Sequence, residues 1–129
     1  MSKSTALPDT HTILLVEDNE LVMEMTRMLL ECSGYRVVST HLPTVALELI
    51  QQGDASVDLL LTDVVMPQMN GPELHQRIKE MLPGMPVLYM SGYSSSVLNT
   101  VMHSDGTSFL AKPFTSDQLL SQVRQVLAT

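Results

Sequence analysis

Tryptophan is absent from this chain, and the aromatic residues number only three Tyr and two Phe, namely Tyr35, Tyr89, Tyr93, Phe109 and Phe114. Aliphatic side chains and methionine must therefore fill any core. Basic residues are also scarce: 7 Lys+Arg stand against 14 Asp+Glu, a formal net charge of -7. That balance argues against direct capture of nucleic acid or of an anionic membrane surface, both of which need a basic face. Uninterrupted apolar runs such as Ile13-Leu14-Leu15-Val16 are far too short to span a bilayer. The single cysteine, Cys32, cannot form an internal disulfide, which fits a reducing, cytoplasmic setting. Residues 1–11 are polar, contain Pro8 and show no period, so a flexible tail or linker is expected there rather than a secretory leader.

What the chain does have is size and apolar content. Its 129 residues, 44% of them hydrophobic, suit one compact domain, expected over residues 12–129. Short apolar runs alternate with helical patterns. Strands are predicted at 13–16, 35–40, 59–62, 86–90 and 108–111. The first helix should bury Leu21, Met25, Met28, Leu29 and Cys32, which recur at helical spacing, and should end at Gly34. A second helix opens at Pro43-Thr44 with Val45, Ala46, Leu49 and Ile50 inward. A third starts near Pro72, with Leu74, Ile78, Met81 and Leu82 inward. A fourth is expected over 94–103, and the last follows the capping-box pattern Thr115-x-x-Gln118, burying Leu119, Leu120, Val123, Val126 and Leu127. The ten methionines read as core filler, and His11, His41, His75 and His103 as exposed.

Five strands alternating with five helices imply a parallel sheet covered on both faces, a doubly wound α/β sandwich. Ligands in such sheets bind beyond the carboxyl ends of the strands. Those ends carry Glu17 and Asp18, Asp63, Ser91 and Lys112. Clustered carboxylates repel one another, and the cluster persists when a cation occupies it. Oxygen-only donors suit Mg²⁺, and the lack of His or Cys among them disfavours zinc. Lys112 and Ser91 can hold phosphate oxygens, and a carboxylate can itself accept a phosphoryl group. Asp63, alone at the end of the central strand, is the candidate nucleophile.

Val16-Glu17-Asp18-Asn19, Asp63-Val64-Val65-Met66-Pro67 with Gly71 after it, Met90-Ser91-Gly92 and Lys112-Pro113-Phe114 together resemble the signature of bacterial response-regulator receiver domains. The resemblance runs from about Thr12 to Leu127 and is similar in detail to receivers of hybrid histidine kinases. It implies a flavodoxin-like (βα)5 sandwich with strand order 2-1-3-4-5. Asp63 is then the phosphoacceptor, taking a phosphoryl group from a phosphohistidine on a histidine kinase or histidine phosphotransfer domain. Asp18, Asp63 and the backbone carbonyl of Val65 ligate Mg²⁺ (or Mn²⁺), with Glu17 helping through water. Ser91, Gly92 and Lys112 bind the phosphate, and Ser91 and Phe109 form the switch. The Lys112–Pro113 peptide is cis, which proline tolerates. Val65 and Tyr93 tune attack by water, and their bulk implies a long-lived phosphoaspartate.

Switching is expected to change the face made by residues 94–103, strand 108–111 and the last helix, through which a homodimer could also form. The isolated domain would promote its own phosphorylation and dephosphorylation without being an enzyme for another substrate. The chain reads as a fragment of a hybrid histidine kinase; the rival is a stand-alone single-domain regulator acting by protein contact. A flavin or nucleotide binder of the same topology lacks its Gly-rich phosphate turn. A Mg²⁺-dependent aspartyl phosphatase is disfavoured by Val65, where those enzymes carry a second Asp.

Overall fold

The computed structural model describes residues 11–53, 56–92 and 108–128. The elements alternate along the chain: β1 (Thr12–Val16), α1 (Glu20–Cys32), β2 (Arg36–Thr40), α2 (Pro43–Gln52), β3 (Leu59–Asp63), α3 (Gly71–Met81), β4 (Val87–Ser91), β5 (Ser108–Ala111) and α4 (Ser116–Leu127). The five strands are all parallel and lie in the order β2-β1-β3-β4-β5. The helix expected at 94–103 lies outside the described residues, as does Tyr93.

The sheet divides the apolar residues between two cores by simple alternation. Ile13, Leu15, Leu59, Leu61, Leu88, Met90 and Leu110 point to the side covered by α1 and α4. Leu14, Val16, Leu60, Val87 and Tyr89 point to the side covered by α2 and α3. Both faces being covered explains why these strands are apolar without interruption. Because β1 is flanked by β2 on one side and β3 on the other, the chain reverses direction across the sheet between them. A crevice therefore opens beyond the carboxyl ends of β1 and β3.

Local chemistry sets the helix ends. Asn19 caps α1, its side chain accepting from the Val22 amide, so neither Glu17 nor Asp18 serves as that cap. Asn70 does the same for α3, with Pro72 in the first turn. The capping box of Thr115 and Gln118 is formed in both directions at α4.

The inward face of α1 differs from the sequence reading. Met23, Thr26 and Leu30 are buried, whereas Leu21, Met25 and Met28 are 69%, 56% and 57% exposed and Cys32 is exposed. Apolar residues occupy more than half the circumference of this helix, so two faces satisfy the helical period and periodicity cannot choose between them. The methionines accordingly split: Met23, Met85 and Met90 fill core, while Met25 and Met28 face solvent. At the end of α3, Met81 packs on the core but Leu82 is exposed. Val45 and Leu49 are half-buried, and Ala46 and Ile50 carry the buried face of α2. Tyr35 precedes β2 instead of opening it. His75 is half-buried, not exposed: its Nε2 donates to the Met85 carbonyl at 2.7 Å.

Candidate phosphoryl-acceptor site

Asp63 is the last residue of β3, and its position is set from three directions. The backbone amide of Val64 donates to the Met90 carbonyl at 3.0 Å, and the Gly71 amide donates to the Val64 carbonyl at 2.7 Å. The Thr62 hydroxyl donates to the Asp63 carbonyl at 3.1 Å. Gly71, the first residue of α3, packs so closely on that carbonyl that a Cβ on it would collide with the backbone oxygen and carbon of Asp63. The loop from Asp63 can therefore fold back tightly only because residue 71 has no side chain.

Around Asp63 the sheet edge gathers the polar residues that the strand ends carry. Glu17 follows β1 and is buried, its backbone amide donating to the Thr40 carbonyl at 3.2 Å and its Oε2 accepting from the Asn19 amide at 3.0 Å. Asp18 is exposed at the rim. Lys112 follows β5, where its amide donates to the Ser91 carbonyl at 2.8 Å, and the Lys112–Pro113 peptide is cis. The Lys112 ammonium reaches across the sheet edge to lie 2.6 Å from Glu17 Oε1 and 2.6 Å from Asp63 Oδ1. Asp63 Oδ2 is buried with no hydrogen-bond partner.

One carboxylate oxygen each from Glu17, Asp18 and Asp63 lies within 4.8 Å of the others. Burial, then the close approach of the Glu17 carboxylate, pushes the Asp63 carboxyl up to about 8, against the lowering effect of Lys112. Burial alone would lower the pKa of Lys112, but its hydrogen bonds to Asp63 and Glu17 outweigh that and hold it above its ordinary value. One cation thus serves two buried carboxylates. A third oxygen, Asp63 Oδ2, is left buried without a partner. Such a donor set, all oxygen and carrying excess negative charge, is what a hard divalent cation such as Mg²⁺ fits.

The other sequence-predicted residues take distinct places. Ser91 is buried at the end of β4, paired in register with Ala111 and next to Lys112. Gly92 is exposed, with open space where a Cβ would stand. Val65 is 55% exposed in the loop after Asp63. Phe109 is half-buried on the α2–α3 side of the sheet, its ring 5.8 Å from that of Tyr89. In the sequence Tyr89 stands only as strand material, and its period-2 placement two residues before Ser91, on the same face, is the available signal.

A doubly wound parallel sheet with three carboxylates, a lysine and a serine at its carboxyl edge is the arrangement of a receiver domain. The response regulator receiver domain family matches residues 13–124, and the chain belongs to that family. It is 33% identical over 128 residues to sensor kinase CckA of Brucella abortus, covering 98% of this chain but 14% of that protein. It is 34% identical over 118 residues to the response regulator receiver protein CpdR of the same organism, covering 89% of this chain and 95% of that one. Among solved structures, the receiver domain of the hybrid histidine kinase CckA matches with a TM-score of 0.76 and 32% identity, over 90% of this chain and 98% of that one. A response regulator receiver protein from Sinorhizobium medicae matches with a TM-score of 0.83 and 28% identity, over 95% and 98%. Among the described residues, no helix is long and apolar enough to cross a membrane.

Proposed function

We propose that this receiver domain accepts a phosphoryl group from a phosphohistidine onto Asp63 in a Mg²⁺-dependent reaction. The observation that carries the reading is the buried Asp63 Oδ2, unpartnered beside Glu17 and Asp18 while Oδ1 is held by Lys112. The free oxygen is the nucleophile: it attacks phosphorus, the P–N bond to the donor imidazole breaks, and the electron pair stays on that histidine. Asp18, Asp63 and the Val65 carbonyl would hold Mg²⁺ or Mn²⁺, with Glu17 acting through water; when bound, the ion supplies positive charge against the phosphoryl oxygens. Lys112 holds a phosphoryl oxygen as a compact point charge. Ser91 supplies a hydroxyl, and the Gly92 position leaves space for the group. Val65, exposed beside Asp63, hinders attack by water and favours a long-lived phosphoaspartate, as Tyr93 would.

The switched output is the face containing β5 and α4, biased through Ser91 and Phe109. That face would meet the output partner or a second copy. The domain acts on itself, with a histidine kinase or phosphotransfer protein as donor, in the cytoplasm. Residues 12–129 form the receiver and 1–11 a tail or linker. We assign it to a hybrid histidine kinase, supported by similarity to the CckA receiver. The near full-length match to CpdR favours a stand-alone regulator as the second reading; the length of the native polypeptide decides between them. Incubation with Mg²⁺ and acetyl phosphate should add one phosphoryl group by intact mass. An undiminished gain in Asp63→Asn, or no gain in the unsubstituted chain, overturns the assignment.

A further inference from the structure

Tyr89 is buried, and it touches both halves of the machinery just described. Toward the acid site, its Cε1 lies 3.1 Å from where a Cβ on Gly71 would be, so the ring rests against the residue that packs on the Asp63 carbonyl. Toward the output face, it is the register partner of Phe109 across β4 and β5, with ring centroids 5.8 Å apart and planes tilted by 32°. On a further side the edge contact with His75, 6.3 Å and 87°, closes the ring in, and His75 is itself anchored to the Met85 carbonyl. A close-packed interior of this kind passes a displacement on instead of absorbing it.

We propose that Tyr89 is a positioning residue that carries the state of Asp63 to Phe109 through its ring. The inference rests on the reading of Asp63 as phosphoacceptor. Any shift of the Asp63–Gly71 turn on phosphorylation moves the surface on which Tyr89 rests. The ring then changes the packing offered to Phe109. Ring volume does this, so the hydroxyl is dispensable.

Only two phenylalanines occur in the chain, Phe109 and Phe114, so fluorophenylalanine labelling yields two fluorine signals. Phe114→Leu assigns them. With Mg²⁺ and acetyl phosphate, intact mass follows phosphoryl uptake while the Phe109 signal is read in the same sample. The unsubstituted chain and Tyr89→Phe should both take up the group and shift the Phe109 signal; Tyr89→Phe carries a third label at position 89, which its combination with Phe114→Leu and comparison with the parent spectrum assign. Tyr89→Leu should take it up at a rate within a few-fold of the parent and lose most of the shift. Retention of the full shift in Tyr89→Leu, or its loss in Tyr89→Phe, overturns the proposal. Should Tyr89→Leu not fold, fluorotyrosine labelling of the parent decides. There the Tyr89 signal, assigned by its absence in Tyr89→Phe, must move together with that of Phe109, and a static Tyr89 signal refutes the idea. A parent chain that takes up no phosphoryl group removes the phosphoacceptor reading itself. Uptake without any Phe109 shift leaves the phosphoacceptor reading standing and removes the role given to Tyr89 together with that of Phe109 in the switch.

Discussion

The Lys112 ammonium lies 2.6 Å from Asp63 Oδ1, and it is shared with Glu17 at the same distance. One positive charge therefore balances two buried carboxylates, and Asp63 Oδ2 is left without a hydrogen bond. A buried acceptor without a partner costs roughly 1–3 kcal/mol. In the metal-free protein, Asp63→Asn removes one of the two competing charges and should raise stability on that order, measured by urea unfolding at pH 8. An Asp63→Asn protein less stable than its parent at that pH would show that the carboxylate is already satisfied.

Proton and cation compete for Asp63. Its folded-state pKa of about 8 stands above the ordinary carboxylate value of 3.8, so the folded state holds a proton that the unfolded chain releases between those values. Metal-free stability should accordingly fall as pH rises from about 4 to about 8 and then level off. The apparent affinity for Mg²⁺, which needs the ionised carboxylate, should rise over the upper part of that window. Titration calorimetry at pH 6, 7 and 8 reads this directly. An affinity independent of pH would place the ionisation elsewhere.

Gly71 has no room for a methyl group. A Cβ there would meet the Asp63 carbonyl well inside contact distance, and it would also press on the Tyr89 ring. Overpacking against a fixed backbone typically costs 1–3 kcal/mol. Gly71→Ala should lose about that much stability and slow phosphoryl uptake from acetyl phosphate, because the obstructed atom belongs to the acceptor residue. Loss of stability with unchanged uptake would confine the role of Gly71 to folding.

His75 supplies an acid-sensitive contact away from the acid cluster. Burial, assisted by nearby Lys79, lowers its pKa below 6.5, against the raising effect of its hydrogen bond to the Met85 carbonyl. The unfolded chain then binds more protons than the folded one between the depressed value and 6.5. Its contribution is fully present above about pH 6.5 and is lost as pH falls through the folded-state value. Urea midpoints of the parent and His75→Gln should converge on acidification from pH 7 to pH 5. A constant gap would mean that protonation leaves the contact intact.

The sheet and the acid site are largely legible in the sequence. Uninterrupted aliphatic runs such as Leu59-Leu60-Leu61 mark strands buried on both faces, and the polar residue ending each run falls at the carboxyl edge whatever the packing details. That is why Glu17, Asp18, Asp63 and Lys112 could be named together. The capping box at Thr115 was legible for the same reason: it depends on residues three apart. Long-range facts were not. The inward face of α1 is read wrongly from the sequence, because Leu21, Met25 and Met28 satisfy the helical period as well as Met23 and Leu30 do.

By itself, the sequence determined the order of elements, the aliphatic character of the core and the set of polar side chains at one edge of the sheet. These follow from local periodicity and from the fixed polarity of a parallel strand. Only the tertiary structure decided which helix faces are buried, that one lysine bridges Glu17 and Asp63, and that Tyr89 stands between Gly71 and Phe109. Those relationships join residues 95 positions apart in the case of Glu17 and Lys112. Which partner a side chain meets across such a distance depends on the packing of the whole sheet, which no local pattern encodes.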